Sequence, residues 1–210
     1  MFQNIILIAV EGCDGVGKTT MVNLLSKHYK KYENICFVDT ATNVKLDEFV
    51  SQYRKSDTYD PQLHMYLETL STYITLLDTI KSKKHLPSNT QRIIVLDRYW
   101  YSLLAYPRVL SEKDINESVI EILPRPNYVL YLSGKSENSY RRKFEIEPIE
   151  YGRKQENVYM NFCKFQTKVD IEYRSLLNSM KQPFCNIVTD NLSIDEMVQK
   201  AICLIDSIIN

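Results

Sequence analysis

The chain has 210 residues, which is enough for one domain with a sizeable hydrophobic core. Its 44% hydrophobic and 25% charged residues exclude a disordered tail protein, a collagen-like rod and a coiled coil. The 26 Lys and Arg residues equal the 26 Asp and Glu residues in number, so we expect no nucleic-acid partner.

No apolar run is long enough to span a bilayer, and residues 1–10 lack the basic flank of a signal peptide. We therefore expect a soluble, cytoplasmic protein without a membrane partner. The five cysteines are widely spaced and include no CxxC pair, which predicts free, mostly buried thiols. Only three histidines are present, which argues against a histidine-rich metal site.

Hydrophobic periodicity predicts strands that alternate with helices along the chain. In the first half we predict a strand over 4–10, a helix over 19–32, a strand over 35–38, helices over 46–53 and 61–81, a strand over 93–96, and a helix over 99–110 that Pro107 ends or kinks. In the second half we predict a strand over 128–132, the start of a helix over 137–143, a polar loop over 144–155, a helix over 157–180, a weaker strand over 186–188, and an amphipathic helix over 195–209 capped by Ser193.

This alternation predicts an α/β fold, with a five-stranded parallel sheet, right-handed crossovers and helices on both faces. No repeat or linker divides the chain, so we predict one domain over residues 1–210.

A glycine-rich motif follows the first predicted strand. Three of the five glycines lie within six residues, and residues 12–19 (GCDGVGKT) satisfy GxxxxGK[ST] between a strand and a helix. The backbone N–H groups of such a loop surround phosphates, and the helix N-terminus adds partial positive charge. The motif predicts a nucleoside triphosphate site formed by Gly12, Cys13, Asp14, Gly15, Val16, Gly17, Lys18, Thr19 and Thr20.

Within that site, Lys18 is expected to reach the β- and γ-phosphate oxygens and the Thr19 hydroxyl to join a Mg²⁺ shell. Asp97 ends a buried strand and can hold Mg²⁺ through water, although it could instead cap the next helix. The sequence has no NKxD base-reading motif of GTPases. An acid followed at once by Arg98 favours the phosphorylation of a small molecule.

Four segments resemble the thymidylate kinase family. Residues 11–20 (EGCDGVGKTT) resemble its EGxDGxGKTT signature, and residues 97–106 (DRYWYSLLAY) resemble DRYxxSxxAY. Residues 125–132 (RPNYVLYL) and 165–173 (FQTKVDIEY) are similar to its KPDLVLYL and FQxKVxxxY segments. The resemblance implies a P-loop kinase fold, phosphoryl transfer from ATP to dTMP with Mg²⁺, and a homodimer.

The resemblance also implies roles for individual residues. Asp14 would contact the 3′-hydroxyl of the acceptor sugar, although such an acid could simply brace the loop. Arg98 would hold the acceptor phosphate, with a surface salt bridge as the alternative. Ser102 and Tyr106 would also line the acceptor site.

The polar segment over about 141–155 resembles the family's lid. Arg141 and Arg142 would neutralise the transferring phosphoryl group, with Arg153 at the far end of the lid and Gly152 as a hinge. The alternative for each arginine is a solvated helix face.

The base-reading part of the sequence departs from the family. Thymidylate kinases read the base with an arginine and a phenylalanine on the helix before the DRY strand, whereas residues 61–80 contain no Arg or Lys. Residues 66–74, and Trp100, look more like the mitochondrial UMP-CMP kinase branch. The second strand ends in residues 39–42 (DTAT) without the family's arginine. Tyr66 and Tyr73 could stack on a base or belong to the core.

These departures leave alternatives open beside dTMP phosphorylation. They are a kinase for UMP, CMP or dUMP, a deoxynucleoside kinase, and a catalytically silent nucleotide-binding regulator. A deoxynucleoside kinase needs a general base for its hydroxyl acceptor, and Glu11 is no obvious candidate.

Overall fold

Five strands form one parallel sheet in the order β2-β3-β1-β4-β5. Their bounds are β1 Ile5–Gly12, β2 Ile35–Asp39, β3 Arg92–Asp97, β4 Tyr128–Ser133 and β5 Phe184–Val188. The central strands are apolar and almost completely buried, as expected for strands covered on both faces. In the register, Val10 of β1 lies opposite Asp97 of β3 and Leu130 of β4, so the motif-bearing strand ends meet at one edge.

Seven α-helices and two short 3₁₀ helices connect the strands of the described chain. The α-helices are α1 Lys18–His28, α2 Asp47–Lys55, α3 Pro61–Ser82, α4 Ser102–Leu110, α5 Ser136–Arg142, α6 Val158–Ser179 and α7 Ile194–Ile209, and the 3₁₀ helices are Ser118–Ile122 and Pro148–Tyr151. Helix α1 packs with α7, while α4 packs with both α3 and α6. Because the crossovers from β1 and β3 leave in opposite directions, right-handed connections place these two groups on opposite faces of the sheet.

The computed structural model describes residues 4–39, 46–83, 85–87, 89–111, 113–153 and 156–209. The predicted strand end at 40–42 and the lid residues 154 and 155 lie outside them. None of the helices in these ranges combines the length and apolar character that crossing a membrane would need.

The predicted sheet and its helices are confirmed, and the differences have local causes. Helix α4 begins at Ser102 instead of 99, because the preceding backbone N–H groups bind the Glu11 carboxylate. Pro107 lies inside α4, which continues to Leu110. The segment predicted as a polar loop contains the 3₁₀ helix Pro148–Tyr151, whose Ile149 and Glu150 are buried.

The prediction of mostly buried thiols is wrong. All five cysteines are free, but Cys13 alone is fully buried, and Cys203 is exposed. The cause is position: Cys13 lies in the glycine loop against α6, whereas Cys203 lies on an outward-facing part of α7.

Candidate active site

The glycine loop fits closely between β4 and α5. At Gly12, where φ is +140°, a Cβ atom would lie 2.2 Å from the Leu132 carbonyl oxygen. At Gly15, where φ is +77°, a Cβ would lie 2.5 Å from the Ser139 carbonyl oxygen of α5. Side chains are excluded at both positions by backbone atoms as well as by the positive φ.

Lys18 begins α1 and its side chain folds back over the loop. The Nζ atom donates hydrogen bonds to the carbonyl oxygens of Gly12 at 2.8 Å and Cys13 at 2.6 Å. Burial, together with the positive charge of Arg98, lowers the pKa of Lys18 to about 8. The amine therefore carries its proton at neutral pH, and its positive charge lies beside the place where the loop would bind an anion.

Thr19, in the first turn of α1, meets Asp97 at the end of β3. The Thr19 Oγ1 hydroxyl donates to Asp97 Oδ2 over 2.7 Å. Oxygen donors of this kind are the ligands that Mg²⁺ prefers, and the pair lies beside the loop. The position fits the predicted magnesium site, whose remaining ligands would come from phosphate oxygens and water.

Asp14 of the loop is buried and forms an ion pair with Arg98, a partly exposed residue that directly follows β3. Arg98 Nη2 donates to Asp14 Oδ1, the Tyr106 hydroxyl donates to Oδ2 over 2.7 Å, and the Gln166 amide donates to Oδ2 over 3.1 Å. Burial raises the pKa of Asp14, but the charges of Arg98 and Lys18 outweigh it and hold the pKa well below its usual range. Arg98 itself has a φ of +62°, which is uncommon for a residue with a side chain.

Glu11 is a functional residue for which sequence reasoning found no role. Its fully buried Oε1 accepts hydrogen bonds from the backbone N–H groups of Tyr99 at 3.1 Å, Tyr101 at 3.0 Å and Ser102 at 3.3 Å. Its Oε2 accepts a bond from the Ser102 hydroxyl. Glu11 therefore caps the start of α4 from the neighbouring strand. An acid within an otherwise apolar strand is the sequence signal that could have revealed it.

Two pockets open on the carboxyl edge of the sheet and share Asp14 and Arg98. The phosphate-loop pocket is lined by residues 14–20 together with Arg98, Arg142, Lys143, Thr189, Leu192, Ser193, Ile194 and Met197. The inner pocket is lined by Asp14, Arg54, His64, Met65, Glu68, Arg98, Tyr99, Ser102, Leu103, Tyr106, Pro107, Glu147, Ile149 and Glu150. Asp14 and Arg98 therefore stand at the junction of the two pockets.

The structure places four of the five predicted acceptor contacts in the inner pocket and leaves one out. Ser102 and Tyr106 line it, together with Asp14 and Arg98. Tyr66, although described, lines neither pocket: its hydroxyl accepts a bond from Gln62 over 3.2 Å and its ring packs against the core. The reason is helical rotation, since α3 presents Met65 and Glu68 to the pocket and turns Tyr66 away from it.

The predicted lid arginines differ in position. Arg142 lines the phosphate-loop pocket and donates to the Thr189 hydroxyl at 3.2 Å. Arg141 is exposed and belongs to the lining of neither pocket. Lys143, which sequence reasoning missed, lines the phosphate-loop pocket and pairs with Glu150 at 2.6 Å. Arg153 donates to the backbone carbonyls of Arg54 and Ser56, which joins the end of the lid to α2.

Comparison with known proteins agrees with this geometry. The thymidylate kinase family model matches residues 10–202. The chain is 27% identical to the thymidylate kinase of Dictyostelium discoideum, covering 99% of this chain and 87% of that protein. It is 26% identical to a probable thymidylate kinase of Saccharolobus solfataricus, covering 89% and 98%. The solved structure of the Candida albicans thymidylate kinase shares the fold, with a TM-score of 0.67 at 23% identity over 96% of this chain and 91% of that one.

The family match spans nearly the whole chain and contains every element that forms the two pockets. Enzymes of this family are phosphotransferases that use ATP to phosphorylate a nucleoside monophosphate. The chain therefore belongs to the thymidylate kinase family and is a nucleoside monophosphate kinase.

Proposed function

We propose that the chain transfers the γ-phosphoryl group of ATP to dTMP and releases dTDP and ADP. The observation that carries this proposal is the meeting of the two pockets at Asp14 and Arg98. ATP would occupy the phosphate-loop pocket and dTMP the inner pocket, with the acceptor phosphate at Arg98. The two substrates would then approach each other at the only residues that the two pocket linings share.

The reaction would join an oxygen of the acceptor phosphate to the γ-phosphorus while the bond from that phosphorus to the ADP oxygen breaks. Lys18 would neutralise charge on the donor phosphates, and Arg98 would orient the acceptor phosphate. Arg142 and Lys143 both line the phosphate-loop pocket and would supply further positive charge to the transferring group. Arg141 is exposed and lines neither pocket, so that role is less well supported for it.

The acceptor phosphate already carries the attacking lone pair, so this transfer needs no general base. Glu11 is consistent with that, because its carboxylate is fully occupied by the start of α4 and lines neither pocket. A deoxynucleoside kinase would need a base beside its hydroxyl acceptor. The family match likewise favours a monophosphate acceptor over a free nucleoside.

Thr19 and Asp97 would hold Mg²⁺, which when bound neutralises charge on the donor phosphates. Asp14 would accept a hydrogen bond from the 3′-hydroxyl of the sugar, since Arg98 and Lys18 keep its carboxylate ionised. Assembly as a homodimer stays a prediction of the resemblance, and a cytoplasmic location stays a prediction from the sequence.

The test is ADP release from Mg-ATP with a panel of acceptors: dTMP, dUMP, UMP, CMP, dCMP, dAMP, dGMP and the free deoxynucleosides. We expect the highest kcat/KM for dTMP. The Lys18→Ala variant, prepared in parallel, should lose turnover and so exclude a contaminating kinase. Turnover with a free nucleoside alone would contradict the proposal, and so would ATP binding without turnover of any acceptor.

A further inference from the structure

The far wall of the inner pocket carries three polar side chains that phosphoryl transfer does not use. Arg54 comes from the last turn of α2, and His64 and Glu68 come from successive turns of α3. All three line the inner pocket and are absent from the lining of the phosphate-loop pocket. All three are separate from Asp14 and Arg98, the residues at the junction, and we call their part of the pocket lining the far wall.

These side chains form one cluster around the Glu68 carboxylate. Arg54 Nη2 donates to Glu68 Oε1 over 2.6 Å, and His64 Nε2 lies 3.2 Å from the same oxygen. Burial would raise the pKa of Glu68, but the hydrogen bond from His64 and the charge of Arg54 lower it to about 2. The carboxylate is thus charged at any physiological pH.

Arg54 also has hydrogen-bond donors that are not fully used within the cluster. Among the described residues, the buried Arg54 Nε–H has no hydrogen-bond partner. The Arg54 Nη1 atom has only a long contact, 3.5 Å, to Glu147 Oε2. Because the contact at Nη1 is long, a ligand that accepts a hydrogen bond from this atom would replace a weak contact with a stronger one.

The position of the cluster fits the base end of an acceptor nucleotide better than its phosphate. The phosphate must lie at the junction, beside Arg98, for transfer to occur. At the far wall the charge of Arg54 is already opposed by the carboxylates of Glu68 and Glu147. A phosphate dianion placed there would be repelled by both acids.

We propose that Arg54 and Glu68 read the base of the acceptor, with Arg54 donating to O4 and Glu68 accepting from N3–H of a thymine or uracil ring. This inference rests on the proposed function. A keto pyrimidine presents an acceptor and a donor side by side on one edge, and the ion pair presents the complementary donor and acceptor. Met65, Leu103 and Ile149 line the same pocket and offer apolar contact to the ring and its methyl group.

The Arg54–Glu68 pair also explains how the pocket obtains an arginine although α3 does not supply one. That helix carries no Arg or Lys between 61 and 80, yet a guanidinium reaches the pocket from α2 and is held there by a carboxylate from α3. The arginine that reads the base is therefore supplied by a different helix, and the chain gains an acidic partner beside it.

The experiment measures kcat/KM for dTMP, dUMP and dCMP in the wild type, Arg54→Met and Glu68→Gln. We expect each variant to lose at least tenfold for dTMP and dUMP but less than threefold for dCMP, so that the preference for dTMP over dCMP falls at least about threefold. The KM for ATP should stay within threefold. Melting temperatures of all variants establish that they fold.

The matched controls are Arg108→Met and Glu117→Gln. Arg108 pairs with two carboxylates, Glu117 at 2.5 Å and Glu172 at 2.7 Å, as Arg54 does, but it lines neither pocket. We expect these variants to keep both the activity and the base preference of the wild type.

An equal loss for all three acceptors in Arg54→Met or Glu68→Gln would overturn the inference, because it would indicate a role in phosphate binding or in the shape of the pocket. An unchanged preference for dTMP over dCMP in these variants would also overturn the inference. If the wild type turned over no monophosphate, the proposed function would fail by itself. Calorimetric binding of dTMP and dCMP to the same variants would then decide the base-reading role separately.

Discussion

The protonation of Lys18 gives the site a pH dependence of its own. Burial and the charge of Arg98 lower its pKa to about 8, so the amine is charged below pH 8 and loses its proton as the pH rises through that value. A neutral amine cannot offset phosphate charge. We therefore expect kcat/KM for ATP, which reports the enzyme before it binds ATP, to change little between pH 7 and 7.5 and to fall toward tenfold per pH unit well above 8.

A pH profile at saturating acceptor checks this expectation. Lys18→Arg is the control, because a guanidinium keeps its charge throughout the range. The variant should have lower activity but no decline between pH 8 and 9.5. If the wild-type profile stayed flat to pH 9.5, the ammonium would have a pKa near its ordinary value and the effect of burial would be refuted.

At the scale of single residues, the sequence predicted what a local motif specifies. The loop and its lysine follow from GxxxxGK[ST], and the Thr19–Asp97 contact agrees with the expectation that both residues take part in one Mg²⁺ site. The far wall of the inner pocket could not be predicted in this way. Arg54 and Glu68 are 14 residues apart on different helices, and only the packing of α2 on α3 brings them together.

At the scale of elements, the loop and α5 are in contact at Gly15. Alanine at this position would place its Cβ 2.5 Å from the Ser139 carbonyl oxygen and would need a positive φ of 77°. The left-handed backbone alone costs about 1–2 kcal/mol for a residue with a Cβ. For a chain of this length we expect Gly15→Ala to lower the melting temperature by about 3–8 °C.

Gly134→Ala is the matched control. Its Cβ would meet the Thr189 side-chain oxygen at 2.9 Å, but its backbone is not in the left-handed region, so alanine there adds no cost from a positive φ. Differential scanning calorimetry of the two variants should show the smaller shift for Gly134→Ala. Equal melting temperatures for wild type and Gly15→Ala would mean that α5 moves freely away from the loop.

Element boundaries were predicted less well than the existence of the elements. Strand ends and helix types follow from apolar periodicity, which is local. The start of α4 depends on Glu11, which is about 90 residues earlier in the chain. The 3₁₀ helix Pro148–Tyr151 forms in a stretch that looks polar because its Glu147 and Glu150 bond to each other's backbone N–H groups in a capping box.

At the scale of the whole molecule, the order of elements predicted the parallel sheet, because strands that alternate with helices leave few other arrangements. The order of elements does not predict contacts between segments that are far apart in the chain. Gln166 of α6 illustrates the difference: it accepts from the Asp14 backbone N–H at 2.9 Å and donates to the Glu150 carbonyl at 2.9 Å. One amide thereby connects the glycine loop, α6 and the lid, and no local pattern indicates it.

The Glu11 carboxylate affects which parts of the molecule can open locally. It ties the end of β1 to the start of α4, so these two elements cannot separate without breaking three buried hydrogen bonds to backbone N–H groups. Opening should then be confined to the lid. We expect the amides of Tyr99, Tyr101 and Ser102 to exchange with deuterium only through global unfolding.

Hydrogen exchange followed by mass spectrometry measures this directly. The peptide spanning residues 98–103 should exchange as slowly as the buried strands, and Glu11→Gln should accelerate it, because a neutral amide accepts these bonds more weakly. The lid peptide over 143–153 should exchange faster in both proteins. Fast exchange at 98–103 in the wild type would show instead that the two substrate sites move independently.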